Sequence, residues 1–98
     1  MLQSPYAGYV HREIKWTERS EEHIAKHDVA PGEVEEAVNT RPHWEGPGRN
    51  GTTHLLGTTS AGRHLFVVLI PSLDGRWYVP TARDMTMNER RLFDKKAR

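Results

Sequence analysis

The sequence predicts an α+β domain, with helices mostly on one face of an antiparallel sheet. Three observations carry that reading. Two short amphipathic segments precede every long apolar run. Asp74-Gly75, the strongest short hairpin signal, separates two strand-like segments. Ser60-Ala61-Gly62 joins another such pair. The predicted order is a short N-terminal strand, two helices, a three-stranded antiparallel meander and a C-terminal helix.

Residues 1–11 contain Pro5 and Gly8, show no periodicity, and read as a flexible lead-in to a single domain spanning 1–98. Arg12–Trp16 alternates, with Ile14 and Trp16 on one side, as a short strand does. Thr17 is placed to N-cap a helix running to about Asp28, with Glu18, Glu21 and Glu22 at its positive end. Val29-Ala30-Pro31 ends that helix, and Pro31 suits the first position of the next. There Val34, Ala37 and Val38 recur at helical spacing up to about Thr40. Arg41–Asn50, with Pro42, Gly46, Pro47 and Gly48, reads as a loop with a brief strand around Trp44. Thr52–Thr59, Arg63–Ile70 and Arg76–Arg83 are the meander. Pro80 has no N–H to give a ladder, so its strand lies at an edge, carries a bulge, or turns that position away from a neighbour. Thr86 and Glu89 form a capping box that starts a basic final helix.

Composition removes whole classes. Ninety-eight residues are too few for a doubly wound nucleotide-binding fold or an α/β barrel. The absence of cysteine excludes disulfide frameworks and thiolate metal sites. No apolar run approaches the roughly 20 residues of a membrane span, and the longest, Leu65–Ile70, is strand-sized. The start lacks a secretory pattern, so the expectation is a cytoplasmic chain without membrane association. An apolar content of 36% makes a thin core of the kind often completed by a partner or a second copy. Charge divides after Glu45. Residues 1–45 hold five Lys/Arg against nine Asp/Glu, and residues 46–98 hold nine against four. A basic second half suits a polyanion, although a mixed surface after folding accounts for the same numbers.

The two turns allow a register. With 60–62 as the first connection, Thr59 faces Arg63, and His54, Leu56 and Thr58 share a face with His64, Phe66 and Val68. With Asp74-Gly75 at the second, Leu73 faces Arg76 and Phe66 lies opposite Arg83. One face then shows His54, His64 and Arg83 around Phe66; the other shows Arg63, Leu55, Leu65, Val67, Leu69 and Ala82. A one-residue slip would scatter the grouping. Cleavage of RNA by its own 2′-hydroxyl needs a base, an acid and cations against the phosphate, and no metal. Histidine fills either proton role and arginine forks onto phosphate. Chance pairing of surface histidines gives the same pattern. Arg49, Arg90 and Arg91 are the candidates for RNA contact, while Lys95, Lys96 and Arg98 are explained by the negative end of the last helix. His23 and His27 have metal-ligand spacing but no third nearby ligand, so no metal or other cofactor is expected. Gly46-Pro47-Gly48 lacks the elements of a phosphate loop. Trp16 and Trp44 suit core or lid positions.

The residues also resemble a family. The series comprises a strand ending in Trp16, His27-Asp28-Val29, the Glu33–Glu36 helix, Leu56-Gly57-Thr58 and Ala61-Gly62-Arg63. It continues through Leu65–Leu69, Thr81-Ala82-Arg83 and Met85-Thr86 to Glu89-Arg90. In order and spacing this is similar to the BrnT toxins of type II toxin–antitoxin modules, over roughly residues 11 to 94. The resemblance implies a RelE-like fold and a ribonuclease that arrests growth. It also implies a BrnA-type ribbon-helix-helix antitoxin, with a homodimer or a toxin2–antitoxin2 heterotetramer as the assembly. By the same route Arg83, Arg63 and the pair Glu89 and Arg90 become site residues. There are departures. Asp28 stands where relatives have a helix-ending glycine, a change aspartate tolerates. Thr53-His54 and Gly57-Thr58-Thr59 stand where relatives carry Arg-Tyr and Gly-Arg-Thr, so either His54 substitutes or the nuclease is weak. The rival readings are a non-catalytic or degenerate toxin-fold module and a small nucleic-acid-binding adaptor.

Overall fold

Thr17 caps the first helix as its position requires. Its hydroxyl accepts from the Ser20 N–H at 3.0 Å, and the Ser20 hydroxyl accepts from the Thr17 N–H at 3.0 Å. In this computed structural model, which describes residues 11–98, β1 (Ile14–Lys15) leads into α1 (Glu18–Ala25) and α2 (Pro31–Asn39). Except for His11, the predicted lead-in lies outside the described residues. Then come β2 (Trp44–Pro47), a 3₁₀ turn at Arg49–Gly51, β3 (Thr53–Thr58), β4 (His64–Pro71), β5 (Trp77–Asp84) and α3 (Met87–Lys96). The result is an α+β fold with a five-stranded mixed sheet and three helices among the described residues.

The α1–α2 corner turns at Asp28, whose φ of 58° lies in the left-handed region. The Val29 N–H then closes onto the Ile24 carbonyl at 3.1 Å. Aspartate thus occupies the conformation for which a glycine is usual. In α2, Val34, Ala37 and Val38 are buried, as their spacing predicts.

The meander is present, but the sheet is larger than predicted. Its order is β1-β5-β4-β3-β2, so β2 extends the β3 edge antiparallel and β1 adds to β5 in parallel. The first hairpin turns at Gly62 (φ 89°), with the Thr59 N–H on the Arg63 carbonyl at 2.9 Å. The second differs from expectation. Ser72, not Leu73, faces Arg76, because its N–H donates to the Arg76 carbonyl at 2.8 Å, leaving Leu73–Gly75 as a three-residue loop. That offset is cancelled further along. Ile70 pairs with Tyr78 but Val68 pairs with Thr81, so Val79 and Pro80 together oppose Leu69 in a β-bulge. Pro80 therefore sits where a ladder N–H is not required. Beyond the bulge Phe66 faces Arg83, as predicted.

Alternation gives each face its own core. Leu55, Leu65, Val67, Leu69, Val79 and Ala82 are buried under α1 and α2 with Ile24, Val34 and Val38. Leu56 and Phe66 are buried on the other face with Phe93 of α3. Past α3 the chain returns to β2: the Arg98 N–H donates to the His43 carbonyl at 2.9 Å, and the His43 N–H to the Arg98 carbonyl at 3.2 Å. The two outer strands are bridged as well. Arg12 forks onto Glu45 at 2.6 and 2.7 Å and lies 4.8 Å over the Trp77 ring. Flat strands would hold those edges about 19 Å apart, so the sheet curls strongly.

Gly57 in β3 lies where α2 crosses closest, and a Cβ there would run into the Ala37 carbonyl. The expected outcome for Gly57→Ala is a loss of about 1–3 kcal/mol, measured by urea unfolding, with the urea dependence (m) unchanged.

Candidate functional site

The strand pairings set the site. His54 faces Val68, Leu56 faces Phe66, and Phe66 faces Arg83, so these side chains share the sheet face that α3 only partly covers. Phe66 is their common floor. The His54 ring stands edge-on to it at 4.9 Å, and the Arg83 guanidinium carbon lies 4.1 Å over it. Such a cation–aromatic stack contributes about 0.5–1 kcal/mol where partly exposed. His64 is on the same face but engages α3 instead, edge-on to Phe93 at 5.2 Å.

Arg83 is also held by Glu89. Its Nη1 donates to Oε1 at 2.8 Å and its Nη2 to Oε2 at 3.0 Å, while Nη1 reaches the Asp84 carbonyl at 3.0 Å. Glu89 completes the α3 cap by accepting from the Thr86 N–H at 2.8 Å. Burial pushes the Glu89 carboxyl up, but Arg83 and the Thr86 donors outweigh it and leave it below the usual glutamate value. The Arg83 side chain keeps 34% of its surface open, so a ligand can reach the guanidinium but meets the Glu89 carboxylate there.

Arg63 does not join this group. It is a clamp on the other side of the sheet, consistent with the face the register assigns it. Its Nε donates to Asp84 at 2.8 Å, its Nη1 to the Asp28 carbonyl at 2.6 Å and to Glu33 at 3.1 Å, and its Nη2 to the His27 carbonyl at 3.2 Å. One side chain thus ties the end of α1, the start of α2 and the end of β5. The resemblance makes both Arg63 and Arg83 site residues, but the sheet separates them, as the register assigns. Arg49 is exposed in the 3₁₀ turn. Arg90 pairs with Asp94 at 3.5 Å and Arg91 with Asn88 at 3.0 Å, both on exposed turns of α3.

One contributor escapes the sequence reading. A Cβ on Gly48 would strike Thr52 and the His54 ring, so Gly48 lets the β2–β3 loop lie against His54. Its only signal is its place in a Pro-Gly-rich turn. Among the described residues no three or more His, Cys, Asp or Glu side chains group to hold a metal ion, and the His23 and His27 rings are 6.1 Å apart. No described helix is long and apolar enough to cross a membrane.

The fold and site therefore define an α+β domain with an Arg–Glu pair and a histidine around one phenylalanine on a half-covered sheet face. No protein-family model, curated protein or solved structure matches the chain.

Replacing Arg63 by alanine is expected to cost about 2 kcal/mol at neutral pH, measured by chemical denaturation, since it strips two helix-end carbonyls and two carboxylates of a charged donor. Arg63 holds Asp84 below the usual aspartate range. That contribution is present above about pH 4 and is lost as pH falls through the lowered value. The deficit should therefore shrink slightly in acid, by tenths of a kcal/mol, because Asp84 is largely exposed.

Proposed function

We propose that this chain is a ribonuclease toxin similar to BrnT, RelE-like in fold and cytoplasmic. In this reading it cuts RNA without a metal and is silenced by a ribbon-helix-helix antitoxin. The observation that carries the reading is Arg83 and His54 on opposite sides of Phe66, on the face where the family resemblance puts a site arginine. Arg83 neutralises the scissile phosphate. His54 takes the 2′-hydroxyl proton, and that oxygen attacks the adjacent phosphorus. The 5′ oxygen leaves with a proton, for which His64 is the candidate donor on the same face. Glu89 is a poor base while Arg83 holds it ionised, so it acts as a positioning residue that aims the guanidinium. Arg63 has a structural role in this scheme. Arg49, Arg90 and Arg91 supply contacts to the flanking strand.

The Arg83–Glu89 pair itself favours a second reading, a non-catalytic toxin-fold module. A phosphate must compete with a carboxylate already in place, and a protein that only docks to a partner needs no free guanidinium.

Incubating the purified chain with total RNA in excess EDTA separates the two. The expected result is fragmentation, slowed about 10²–10³-fold by Arg83→Ala and partly restored by Arg83→Lys. Intact RNA, or equal cleavage by Arg83→Ala, would overturn the nuclease reading. Harmless expression in the absence of any neighbouring ribbon-helix-helix reading frame would then support the docking module.

A further inference from the structure

We propose that the recess between α1 and β5 binds a phosphate group. Arg19 and His23 of α1 line it together with Tyr78 and Pro80 of β5, around a volume of about 270 Å³. Arg19 and His23 are four residues apart, so adjacent turns of one helix present both to the same side. Every polar side chain in the lining can donate: a guanidinium fork, an imidazole N–H and a phenol O–H. No carboxylate lines the recess, although α1 carries Glu18, Glu21 and Glu22.

The donors are also unspent. Arg12, Arg63, Arg76, Arg83 and Arg90 are each held by a carboxylate. Among the described residues, the side chains of Arg19 and Tyr78 make no hydrogen bond or ion pair, and the His23 side chain has only the tilted ring of His27 beside it. Among the described residues, no strand closes the sheet edge there. β1 stops pairing at Tyr78, and Pro80 has no N–H to recruit another strand. By volume the space holds roughly nine waters, enough for a phosphate and part of the group that bears it. The Arg19 guanidinium beside the His23 imidazole, on one side of α1, suits a tetrahedral oxyanion, which accepts from both at once. The recess shares no residue with the Arg83 face, so it stands whether or not the chain is a nuclease.

The full chain can be titrated with inorganic phosphate while the Arg19 and His23 side-chain resonances are followed by NMR, with chloride at matched ionic strength as reference. Saturable shifts at both residues are expected. Arg19→Ala should weaken the affinity about tenfold. Arg19 holds no other side chain in place, and a circular dichroism melt checks that its variant folds. His23→Ala gives a second weakened variant. A short RNA oligonucleotide without terminal phosphates forms the other arm. Shifts with inorganic phosphate alone identify a free or terminal phosphate, and shifts with both probes identify a phosphodiester. Either result upholds the site. Phosphate shifts no larger than those of chloride, or an unaltered affinity in folded Arg19→Ala, overturn it.

Discussion

Strand alternation across β3, β4 and β5 is the constraint on which both faces of this protein depend. Leu55, Leu65 and Val67 are buried beneath α1 and α2 only because His54, Leu56 and Phe66 point the other way. A slip of one residue would carry charged and imidazole side chains into the larger core and turn its leucines outward. The cost of exposing even three such side chains, about 1.5–3 kcal/mol each, is comparable to the whole stability of a small domain. The register that buries the core is therefore the same register that assembles the candidate site, and no separate force is needed to explain why His54 and Arg83 meet Phe66.

Arg83 and Glu89 join that sheet to α3. The carboxylate caps the helix through Thr86 and fixes the guanidinium of β5 at the same time, so the start of α3 and the face of the sheet are held as one unit. At the far end, the Arg98–His43 pairing fixes the chain just beyond the helix to the segment entering β2. Between these ties only Phe93 of the helix is buried. The helix is thus secured by polar contacts at its two ends and by a small apolar cluster in which Phe93 meets Leu56 and Phe66, flanked by partly buried Trp44, Val68, Met85 and Leu92.

Local chemistry made much of this legible in the sequence. The caps at Thr17 and Thr86, the proline opening α2 and the glycine turns at Gly62 and Gly75 act within a few residues, so the sequence displays them directly. The partner of β1 lies far along the chain and leaves no local mark, while β2 pairs with the next strand, β3, in a Pro- and Gly-rich stretch that reads mostly as loop. β1 is two residues long, too short for its own composition to mark its parallel pairing with β5. The second hairpin shows both sides. Asp74-Gly75 marks its position, yet the loop is one residue longer than the simplest turn, and the bulge at Val79 and Pro80 restores the alignment of Phe66 with Arg83. Pro80 announced an irregularity without saying which kind. The role of Arg63 was hidden for a similar reason: its four partners come from three separate stretches of chain.

The division of charge along the sequence takes a different form in space. Of the arginines in the basic half, Arg63, Arg76, Arg83 and Arg90 each face a carboxylate. Their charge is largely cancelled within a few ångströms and adds little to the field beyond a Debye length of about 8 Å at physiological salt. The uncompensated excess belongs to exposed Arg49, Arg91, Lys95, Lys96 and Arg98, in the turn before β3 and along the last part of the chain. A polyanion approaching the molecule is drawn first to those groups, and this attraction weakens with salt. In the proposed nuclease reading, binding at Arg83 is a later and more local event, because a phosphate must displace or share the Glu89 carboxylate there. On that reading steering and recognition fall to different residues, and the net charge of the chain describes only the first.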